Sequence, residues 1–281
     1  MLFNTLFTAV TVGEKVGFGL GKSFFKSVRD KAGFSTIRYF VSGGGPLNPA
    51  TGSFFVRLGI SMLQGYGLTE TSPVTHVNRP ENIRLETVGP PIPGVECKIV
   101  EPNSQGVGEV CIKGANVFKG YFKNEKATAE VIDADGWFHT GDLGRIHSGS
   151  MLQIMGRMKN MLVTGGGKNV YPEEVEHYLK MSDFIAEALV LGIPRESGYG
   201  DEVGALIYPD YEKIDLHFEA RSIRATPKDV YNLIKSEINE KQRELSEYKR
   251  VRKFRLVEVE FEKTSTRKIK RFLYNGDMLK I

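Results

Sequence analysis

The chain has 281 residues, of which 41% are hydrophobic and 26% charged, the composition of an ordinary globular protein with a full core and more than one domain. No apolar run reaches the roughly 18 residues of a membrane-spanning helix, and two cysteines are too few for a disulfide-built secreted protein. These features, with a formal net charge of +4, favour a cytoplasmic protein.

The N-terminal stretch "MLFNTLFTAVTVGEKVGFGLG" is apolar in places but is interrupted by Glu14 and Lys15. No basic segment precedes it, so it does not fit a secretory signal peptide. It predicts a helix that lies on other apolar surface or on a membrane face, which would make the protein peripheral to a membrane.

Residues 37–68 alternate between short apolar strands and a helix. "IRYFVSGGG" predicts a strand that runs into a glycine loop, "NPATGSFFVRLG" a helix, and "ISMLQGYG" a second strand with a second glycine loop. This order is typical of an α/β sheet, in which ligands bind beyond the carboxyl ends of the strands. Both glycine loops fall at such ends.

The stretch "QGYGLTETSP", residues 64–73, places an aromatic ring between two glycines and follows it with a hydroxyl and a carboxylate. A nucleotide base would stack on the ring of Tyr66 while its phosphates lie along the glycine backbone. Thr69 and Glu70 would then offer oxygen ligands to magnesium. A tight turn that leaves a buried strand explains the same residues without a ligand.

From Val88 to Met155 the pattern changes to short strands with frequent turns, which predicts an antiparallel sheet or small barrel. Cys97 and Cys111 lie on two arms of a predicted hairpin, where they would face each other as reduced packing residues. "GRIHSGSMLQIMGR" predicts a hairpin that turns at residues 148–150. In "DGWFHTGDLG", Asp142 either accepts two ribose hydroxyls or caps a tight turn.

Beyond residue 158 the sequence predicts a small α+β domain. "YPEEVEHYLK" predicts a helix that begins near Pro172, and "TPKDVYNLIKSEINEKQREL" a helix with Thr226 as N-cap and Asp229 three residues later. The apolar stripe of the second helix comprises Val230, Leu233, Ile234, Ile238 and Leu245. "KFRLVEVEF" predicts a strand.

Several familiar patterns are missing. "GGGK" ending at Lys168 does not fit a phosphate loop, because Leu162 stands where a glycine is needed. The sequence has no Ser/His/Asp motif and no GxGxxG fingerprint, and its five histidines show no metal-ligand spacing. "FEKTSTRKIKR" reads by default as a charged surface.

Basic residues concentrate at the end of the chain. Residues 241–281 hold 13 Lys and Arg and 6 Asp and Glu, which gives a formal net charge of +7. The preceding 240 residues hold 25 Lys and Arg and 28 Asp and Glu, which gives −3. Such a segment meets phosphates on a nucleotide, coenzyme or lipid surface, or is only a solvated face. Without interleaved aromatic residues it does not indicate a nucleic-acid partner.

Five successive stretches together resemble motifs of the adenylate-forming, AMP-binding superfamily, the acyl-CoA synthetases in particular. They are "VSGGGPL", "QGYGLTETSP", "GWFHTGDLG", "GRMKNMLVTGGGKNVYPEEVE" and "KTSTRKIKR". The form "GGKNVYPEEVE" is most similar to the long-chain fatty acid members. The resemblance implies an AMP-forming acid–thiol ligase that uses ATP, Mg²⁺ and coenzyme A to activate a fatty acid.

The resemblance also implies roles for single residues in nucleotide binding. Tyr66 would pack on adenine, Asp142 would take the ribose hydroxyls with Arg157 beside it, and Thr69 would touch phosphate. Glu70 would hold Mg²⁺. The residues whose backbone lines the nucleotide would be Gly44, Gly45, Pro46, Gly65 and Gly67.

The remaining roles fall in the second part of the chain. Lys159 stands where the family has its hinge, and Lys268 matches the lysine that bridges the carboxylate and the α-phosphate during adenylation. Gly165, Gly166 and Gly167 would approach the thiol acceptor after the small domain turns. We therefore expect part of an α/β nucleotide-binding domain to about residue 87, a β-rich subdomain over residues 88–157, and a mobile α+β domain over residues 158–281.

Two departures from the family bear on activity. Glu262 and Arg267 replace a proline and a glycine of the last motif, and the Ser/Thr/Gly-rich phosphate loop that family members carry upstream has no counterpart here. The resemblance thus covers the C-terminal half of an enzyme, and sequence does not fix whether a separate N-terminal half is its partner. Two alternatives stay open: an inactive fragment that serves as a binding or scaffold module, and acyl transfer to a carrier-protein thiol. Chain length of the acid and oligomeric state are not fixed by sequence.

Overall fold

The computed structural model describes residue 10 and residues 21–195, 198–265 and 267–279. The chain has the expected mixed α/β fold and divides into two compact units, residues 1–154 and 155–281, which are described separately. The N-terminal helix predicted from residues 1–21 lies almost wholly outside the described residues. None of the described helices has the length and apolar character to cross a membrane. The predicted domain boundary after residue 157 stays a prediction.

The first unit begins with the predicted α/β elements. They are α1 (Gly21–Phe24), α2 (Lys26–Lys31), β1 (Tyr39–Ser42), α3 (Pro49–Arg57), β2 (Ser61–Gly67) and β3 (Val74–Val77). Strand β1 pairs with β2 in parallel, with Ser42 opposite Gln64, and β3 pairs with β2 antiparallel. The second glycine loop was a wrong prediction, because Gly65 and Gly67 lie inside β2, where β3 continues the hydrogen bonding.

The β-rich part contains β4 (Val95–Val100), β5 (Gly108–Gly114), α4 (Glu125–Val131), β6 (Phe138–His147) and β7 (Met151–Arg157). The strands form one sheet in the order β4-β5-β6-β7, and the predicted hairpin turns at residues 148–150. Cys97 pairs with Ile112, and Cys111 with Lys98. Since side chains alternate across a strand, this register puts the two reduced cysteines on opposite faces, not facing each other.

The second unit is the α+β arrangement expected from its sequence. It contains β8 (Leu162–Val163), β9 (Asn169–Val170), α5 (Pro172–Leu179), β10 (Ile185–Pro194), β11 (Asp201–Pro209), α6 (Tyr211–Glu219), α7 (Pro227–Lys241) and β12 (Lys253–Leu256). Strand β11 pairs antiparallel with β10 and parallel with β12. Short strands β8 and β9 form a separate hairpin.

Local sequence accounts for the helices that cover this sheet. Thr226 and Asp229 form the predicted capping box at the start of α7, and Pro172 occupies the first turn of α5. The buried faces of both helices meet β10 and β11 in one apolar cluster, which includes Val175, Leu179, Ile234, Ile238, Val190 and Ile207. The apolar stripe predicted for α7 belongs to this cluster, although Leu245 lies beyond the end of the helix.

Candidate functional site

The parallel pairing of β1 and β2 places the glycine loop beside the end of β2. A Cβ atom on Gly43 would lie 3.5 Å from the carbonyl oxygen of Gly65, so the two backbones run next to each other. Gly44 has a φ of 80°, which favours glycine, and a Cβ on Gly44 or Gly45 would meet no atom within 4 Å among the described residues. The loop therefore presents bare, exposed backbone at the carboxyl edge of the sheet.

A tight turn follows β2 at once. A Cβ on Gly67 would collide with the carbonyl oxygen of Pro73, so only glycine fits there. Residues Thr69–Thr71 form a 3₁₀ turn, in which the Leu68 amide donates to the Thr71 hydroxyl at 2.9 Å. The buried hydroxyl of Thr71 thus maintains the turn, and the neighbouring Thr69 is exposed. The reading of this stretch as a tight turn after a strand is therefore confirmed, and the role of Thr69 and Glu70 in ligand binding stays a prediction.

The Glu70 carboxylate is held from a distant loop. The Tyr121 hydroxyl donates to Glu70 Oε1 at 3.0 Å, and the Phe118 amide donates to the Glu70 carbonyl oxygen at 2.8 Å. Partial burial and the nearby Glu70 raise the pKa of Tyr121, which keeps the phenol a donor at neutral pH. An oriented carboxylate next to an exposed hydroxyl is the hard-oxygen donor set that magnesium prefers, so these residues fit a magnesium ion.

Asp142 lies in a bulge of β6. Glu109 pairs with Leu143 and Cys111 with His139, so Val110 alone opposes residues 140–142. The Gly141 amide donates to Glu109 Oε1 at 3.1 Å, and the Thr140 hydroxyl donates to the Val110 carbonyl oxygen at 2.7 Å. Asp142 is only 5% exposed and belongs to a strand, so the prediction that it merely caps a turn was wrong.

The bulge brings Asp142 against the end of β2. The Tyr66 hydroxyl donates to Asp142 Oδ2 at 2.6 Å, although 76 residues separate the two in the chain. The ring of Tyr66 packs against the apolar cluster around Val110 and Leu152. An aromatic ring and a buried carboxylate therefore lie side by side.

His76 lies opposite Tyr66 on β3 and is fully buried. The Thr75 hydroxyl donates to the Tyr66 carbonyl oxygen at 3.1 Å and lies 3.0 Å from His76 Nδ1, which makes Nδ1 the protonated nitrogen. No polar atom of the described residues lies within hydrogen-bonding distance of Nε2. Burial lowers the pKa of His76 to about 4, so the site has a neutral imidazole behind Tyr66.

The second unit holds the other predicted residues. Arg157 ends β7, and Lys159 is exposed in a 3₁₀ turn, Met158–Asn160. The Asn160 amide group donates to Glu173 Oε1 at 2.6 Å, which ties this turn to the first turn of α5. A side-chain contact therefore anchors the segment that would serve as a hinge to α5.

Gly165, Gly166 and Gly167 form the loop of the β8–β9 hairpin. The Gly167 amide donates to the Thr164 carbonyl oxygen at 2.8 Å, and Gly167 has a φ of 67°. A Cβ on Gly166 or Gly167 would meet nothing within 4 Å in the described part of the chain. This loop joins two strands and not a strand to a helix, in agreement with its failure to match a phosphate loop.

Lys268 is exposed at the end of a tight turn. The Thr264 amide donates to the Lys268 carbonyl oxygen at 2.8 Å, and the Arg267 amide donates to the Thr264 carbonyl oxygen at 2.9 Å. Arg267 has a φ of 60°, the left-handed region in which glycine is preferred. Lys263 does not fit a solvated surface charge, because it pairs with Glu187 and, at 2.9 Å, with Glu260.

Comparisons with known proteins agree with this geometry. Residues 3–122 match the family model for AMP-binding enzymes. Over 247 residues the chain is 36% identical to the long-chain-fatty-acid–CoA ligase FadD15 of Mycobacterium bovis, an alignment that covers 83% of this chain and 39% of that protein. Over 170 residues it is 39% identical to the long-chain-fatty-acid–CoA ligase ACSBG1 of Bos taurus, with 60% of this chain and 23% of that protein covered.

Solved structures show the same relationship. ATP-bound MatB from Rhodopseudomonas palustris has a TM-score of 0.70 and 27% identity, covering 89% of this chain and 48% of that one. The anthranilate CoA ligase AuaEII in complex with anthranoyl-AMP has a TM-score of 0.68 and 27% identity, and the match covers 85% of this chain and 44% of that one. The chain belongs to the AMP-binding, adenylate-forming enzyme family. It spans less than half the length of these relatives.

Family membership could not have identified the residues that support the candidate site. Tyr121 holds Glu70, and the Asn116 amide donates to the carbonyl oxygens of Thr71, at 3.0 Å, and Val74, at 3.2 Å. Both residues come from the loop after β5, more than 40 positions away from the turn that they fix. No local pattern in "GANVFKGYF" indicates those partners, since the contacts depend on how the sheet folds back.

Proposed function

We propose that this chain is part of a long-chain fatty acid–CoA ligase that converts a fatty acid, ATP and coenzyme A to acyl-CoA, AMP and pyrophosphate. The observation that carries the proposal is the contact between the Tyr66 hydroxyl and Asp142 Oδ2 at 2.6 Å. This contact supports the proposal because it joins the residue assigned to adenine to the residue assigned to ribose. The exposed backbone of Gly44 and Gly45 follows β1, the strand that pairs with β2.

In this proposal the nucleoside is recognised by stacking and by hydrogen bonds. Adenine packs on Tyr66, with Gly44, Gly45 and Pro46 on its other side and Gly65 and Gly67 keeping the strand edge free of side chains. The ribose hydroxyls donate to the Asp142 carboxylate, and the resemblance to the family assigns Arg157 to the same step of recognition. The bulge of β6 supports this role, because its anchoring bonds fix the carboxylate before any ligand arrives.

The phosphates and the reacting carboxylate carry like charge, so the reaction needs cations and donors. Thr69 contacts phosphate through its exposed hydroxyl, and Glu70 would hold the Mg²⁺ ion, which would neutralise phosphate charge. Tyr121 fixes the carboxylate for that task. Lys268 places an ammonium between the fatty carboxylate and the α-phosphate, a charge-stabilising role that lowers the barrier to their approach.

The chemistry then proceeds in two displacements. A carboxylate oxygen of the fatty acid attacks the α-phosphorus of ATP, and pyrophosphate leaves to give the acyl-adenylate. The thiolate of coenzyme A attacks the acyl carbon, and AMP leaves as the thioester forms. Lys159 serves as the pivot between these steps. The open backbone of Gly166 and Gly167, next to Gly165, allows the thiol arm to pass closely.

The fatty substrate is inferred from the relatives. FadD15 and ACSBG1 are both long-chain-fatty-acid–CoA ligases, and this chain shares more than a third of the aligned residues with each. The strongly basic segment over residues 241–281 also suits an enzyme that works at anionic lipid surfaces. Vesicle co-sedimentation would test that contact separately.

The proposal is tested by joining the chain to the N-terminal part of FadD15 and measuring pyrophosphate release with palmitate, ATP and Mg²⁺. The chimera should be active, and Lys268→Ala should lower adenylation by about a hundredfold or more, as is typical when one preorganised charge is removed. The matched control is Lys270→Ala, which removes an exposed ammonium that pairs with Glu262 at 3.2 Å and should lose little.

A second assay starts from pre-made acyl-adenylate and coenzyme A. Lys268→Ala should affect this thioester step much less, because the lysine acts on the adenylation step alone. Equal losses in both steps would contradict the assigned role of Lys268. A folded chimera without activity would favour the alternative of an inactive binding module. Activity with a carrier-protein thiol but not with coenzyme A would identify the carrier protein as the thiol acceptor.

A further inference from the structure

A second group of polar side chains lies beside the nucleoside residues and takes no part in the proposed reaction. Glu109 and Cys111 on β5 and His139 on β6 each offer one ligand atom, and these atoms all lie within 4.8 Å of one another. His139 Nδ1 is the shared member, 2.7 Å from Glu109 Oε2 and 3.5 Å from Cys111 Sγ. Three different donor atoms thus point at one small volume.

The register of the sheet explains this convergence. Cys111 pairs directly with His139, and the bulge opposite Val110 lets Glu109 reach the same place. Zinc bonds to thiolate, imidazole and carboxylate measure about 2.0–2.3 Å, so ligands of one tetrahedral ion are about 3.3–3.8 Å apart. The Glu109 and His139 atoms, 2.7 Å apart, must separate to admit an ion between them, whereas the 3.5 Å between His139 and Cys111 already fits.

Neighbouring groups already orient two of the three donors. Asp133 Oδ2 lies 3.6 Å from His139 Nε2, on the far side of the ring. Asp133 is itself fixed, because its Oδ1 accepts from the Trp137 amide at 2.8 Å and the Asp135 amide at 3.0 Å. Glu109 uses Oε1 for the Gly141 amide, which leaves Oε2 aimed at the histidine. A carboxylate behind a ligand histidine is the usual supporting arrangement of a metal centre.

The charges around the cluster have a net negative sign once the thiol ionises. Glu109, Asp133 and the Cys111 thiolate face the Lys98 ammonium, which pairs across the strand with Cys111 and lies 4.2 Å from the centre of the Trp137 ring. A bound cation would displace the thiol proton of Cys111. Because thiol and imidazole bind a metal only in their deprotonated forms, the affinity would rise with pH.

We propose that Glu109, Cys111 and His139 form a binding site for a thiophilic divalent cation of the zinc class, with solvent as the fourth ligand. A soft sulfur and an imidazole select such ions over magnesium or calcium. His139 is 30% exposed at its side chain, which provides the route for the ion and for the solvent ligand. Because both strands contribute, the bound ion would clamp β5 to β6 beside the bulge that holds Asp142.

The test uses the full chain, freed of any histidine tag and dialysed against metal-free buffer, with Zn²⁺ titrated by calorimetry and Co²⁺ by absorption. We expect binding of about one ion per chain and a near-ultraviolet thiolate-to-cobalt band, both weaker at pH 6 than at pH 8. Cys111→Ser should remove the band, and His139→Gln and Glu109→Gln should weaken binding at least about tenfold. Asp133→Asn should weaken it by about tenfold as a supporting residue.

The matched control is Cys97→Ser, which removes the other thiol from the opposite face of the same hairpin and should change neither signal. Loss of the cobalt band in Cys97→Ser, or its persistence in Cys111→Ser, would overturn the assignment. The absence of Zn²⁺ binding to the wild-type chain at about 100 µM would also overturn it, because this concentration is at least ten times the dissociation constant of an ordinary zinc site. Circular dichroism of each variant separates lost ligands from lost folding.

Discussion

The buried imidazole of His76 should make the first unit acid-sensitive. The perturbation is His76→Phe, which keeps a planar ring beside Tyr66 and removes the titrating nitrogens. In the native chain burial lowers the pKa of His76 from 6.5 to about 4, and Nε2 lacks an acceptor for a new proton among the described residues. The unfolded chain binds a proton below pH 6.5, whereas the native chain does not until about pH 4.

The sign and the size of the effect follow from that difference. Between about pH 6.5 and pH 4 the unfolded state holds more protons, so the free energy of unfolding falls as the pH falls. The pKa difference of 2.5 corresponds to about 3.4 kcal/mol in full, at 1.36 kcal/mol per unit. At pH 5 about 2 kcal/mol of it should already be lost relative to pH 7.5.

The assay is urea unfolding at pH 7.5 and pH 5, followed by the fluorescence of Trp137, the only tryptophan, which lies in the same unit as His76. The wild-type chain should lose about 2 kcal/mol more than His76→Phe over this range. The comparison cancels the contributions of all other titrating groups that the two chains share. Parallel pH profiles would refute the account of His76 as a buried, neutral histidine.

Three further predictions concern single residues. Arg267→Gly should stabilise the second unit by about 0.5 kcal/mol. Arg267 has a φ of 60°, and glycine adopts this left-handed conformation without strain, a gain that exceeds the extra entropy of glycine in the unfolded chain. A lower urea midpoint of the variant would contradict this. Burial raises the pKa of Glu176 to about 7 in spite of Arg271, so stability of the second unit should fall as pH rises from about 4.5 to about 7. Glu176→Gln should remove that slope in hydrogen exchange of the β10 amides, and an unchanged slope would assign it elsewhere. Gly67→Ala should destabilise the first unit by more than about 2 kcal/mol, or unfold it, because the new Cβ collides with Pro73. The control is Gly45→Ala, whose Cβ meets nothing and which should change stability little. Similar melting temperatures of the two variants would contradict the packing at Gly67.

The sequence predicts those elements that are determined by neighbouring residues. The start of α7 follows from Thr226 and Asp229, three positions apart, and the start of α5 from Pro172, because caps act within one turn. The β6–β7 hairpin follows in the same way from the turn at residues 148–150. These features need no knowledge of distant partners.

Features set by strand register were less predictable. Cys97 and Cys111 were expected to face each other, and a register one residue away puts them on opposite faces. The bulge opposite Val110 decides whether Asp142 is a turn residue or a buried carboxylate, and no local pattern reveals it. The same bulge gathers Glu109, Cys111 and His139, which is why a search for regularly spaced histidines finds no metal ligands.

The interpretation of the contact between Tyr66 and Asp142 needs both the sequence motifs and the arrangement of the strands. Resemblance to the family assigns adenine to one and ribose to the other, but the 2.6 Å hydrogen bond between them arises from the way β6 folds against β2. Supporting groups such as Tyr121 carry no motif of their own. Their roles emerge only when the sheet brings them to the turn after β2.

The most direct test of the nucleotide site is calorimetric titration of the chain with a non-hydrolysable acyl-adenylate analogue. Wild-type protein should bind it, Asp142→Ala should weaken binding by at least about tenfold, or about 1.4 kcal/mol, and Tyr66→Ala should do the same. The control is Asp135→Ala, an exposed carboxylate in the same stretch, which should bind like the wild type. Equal affinity of the wild type and a correctly folded Asp142→Ala would contradict the assignment of this site to a nucleotide.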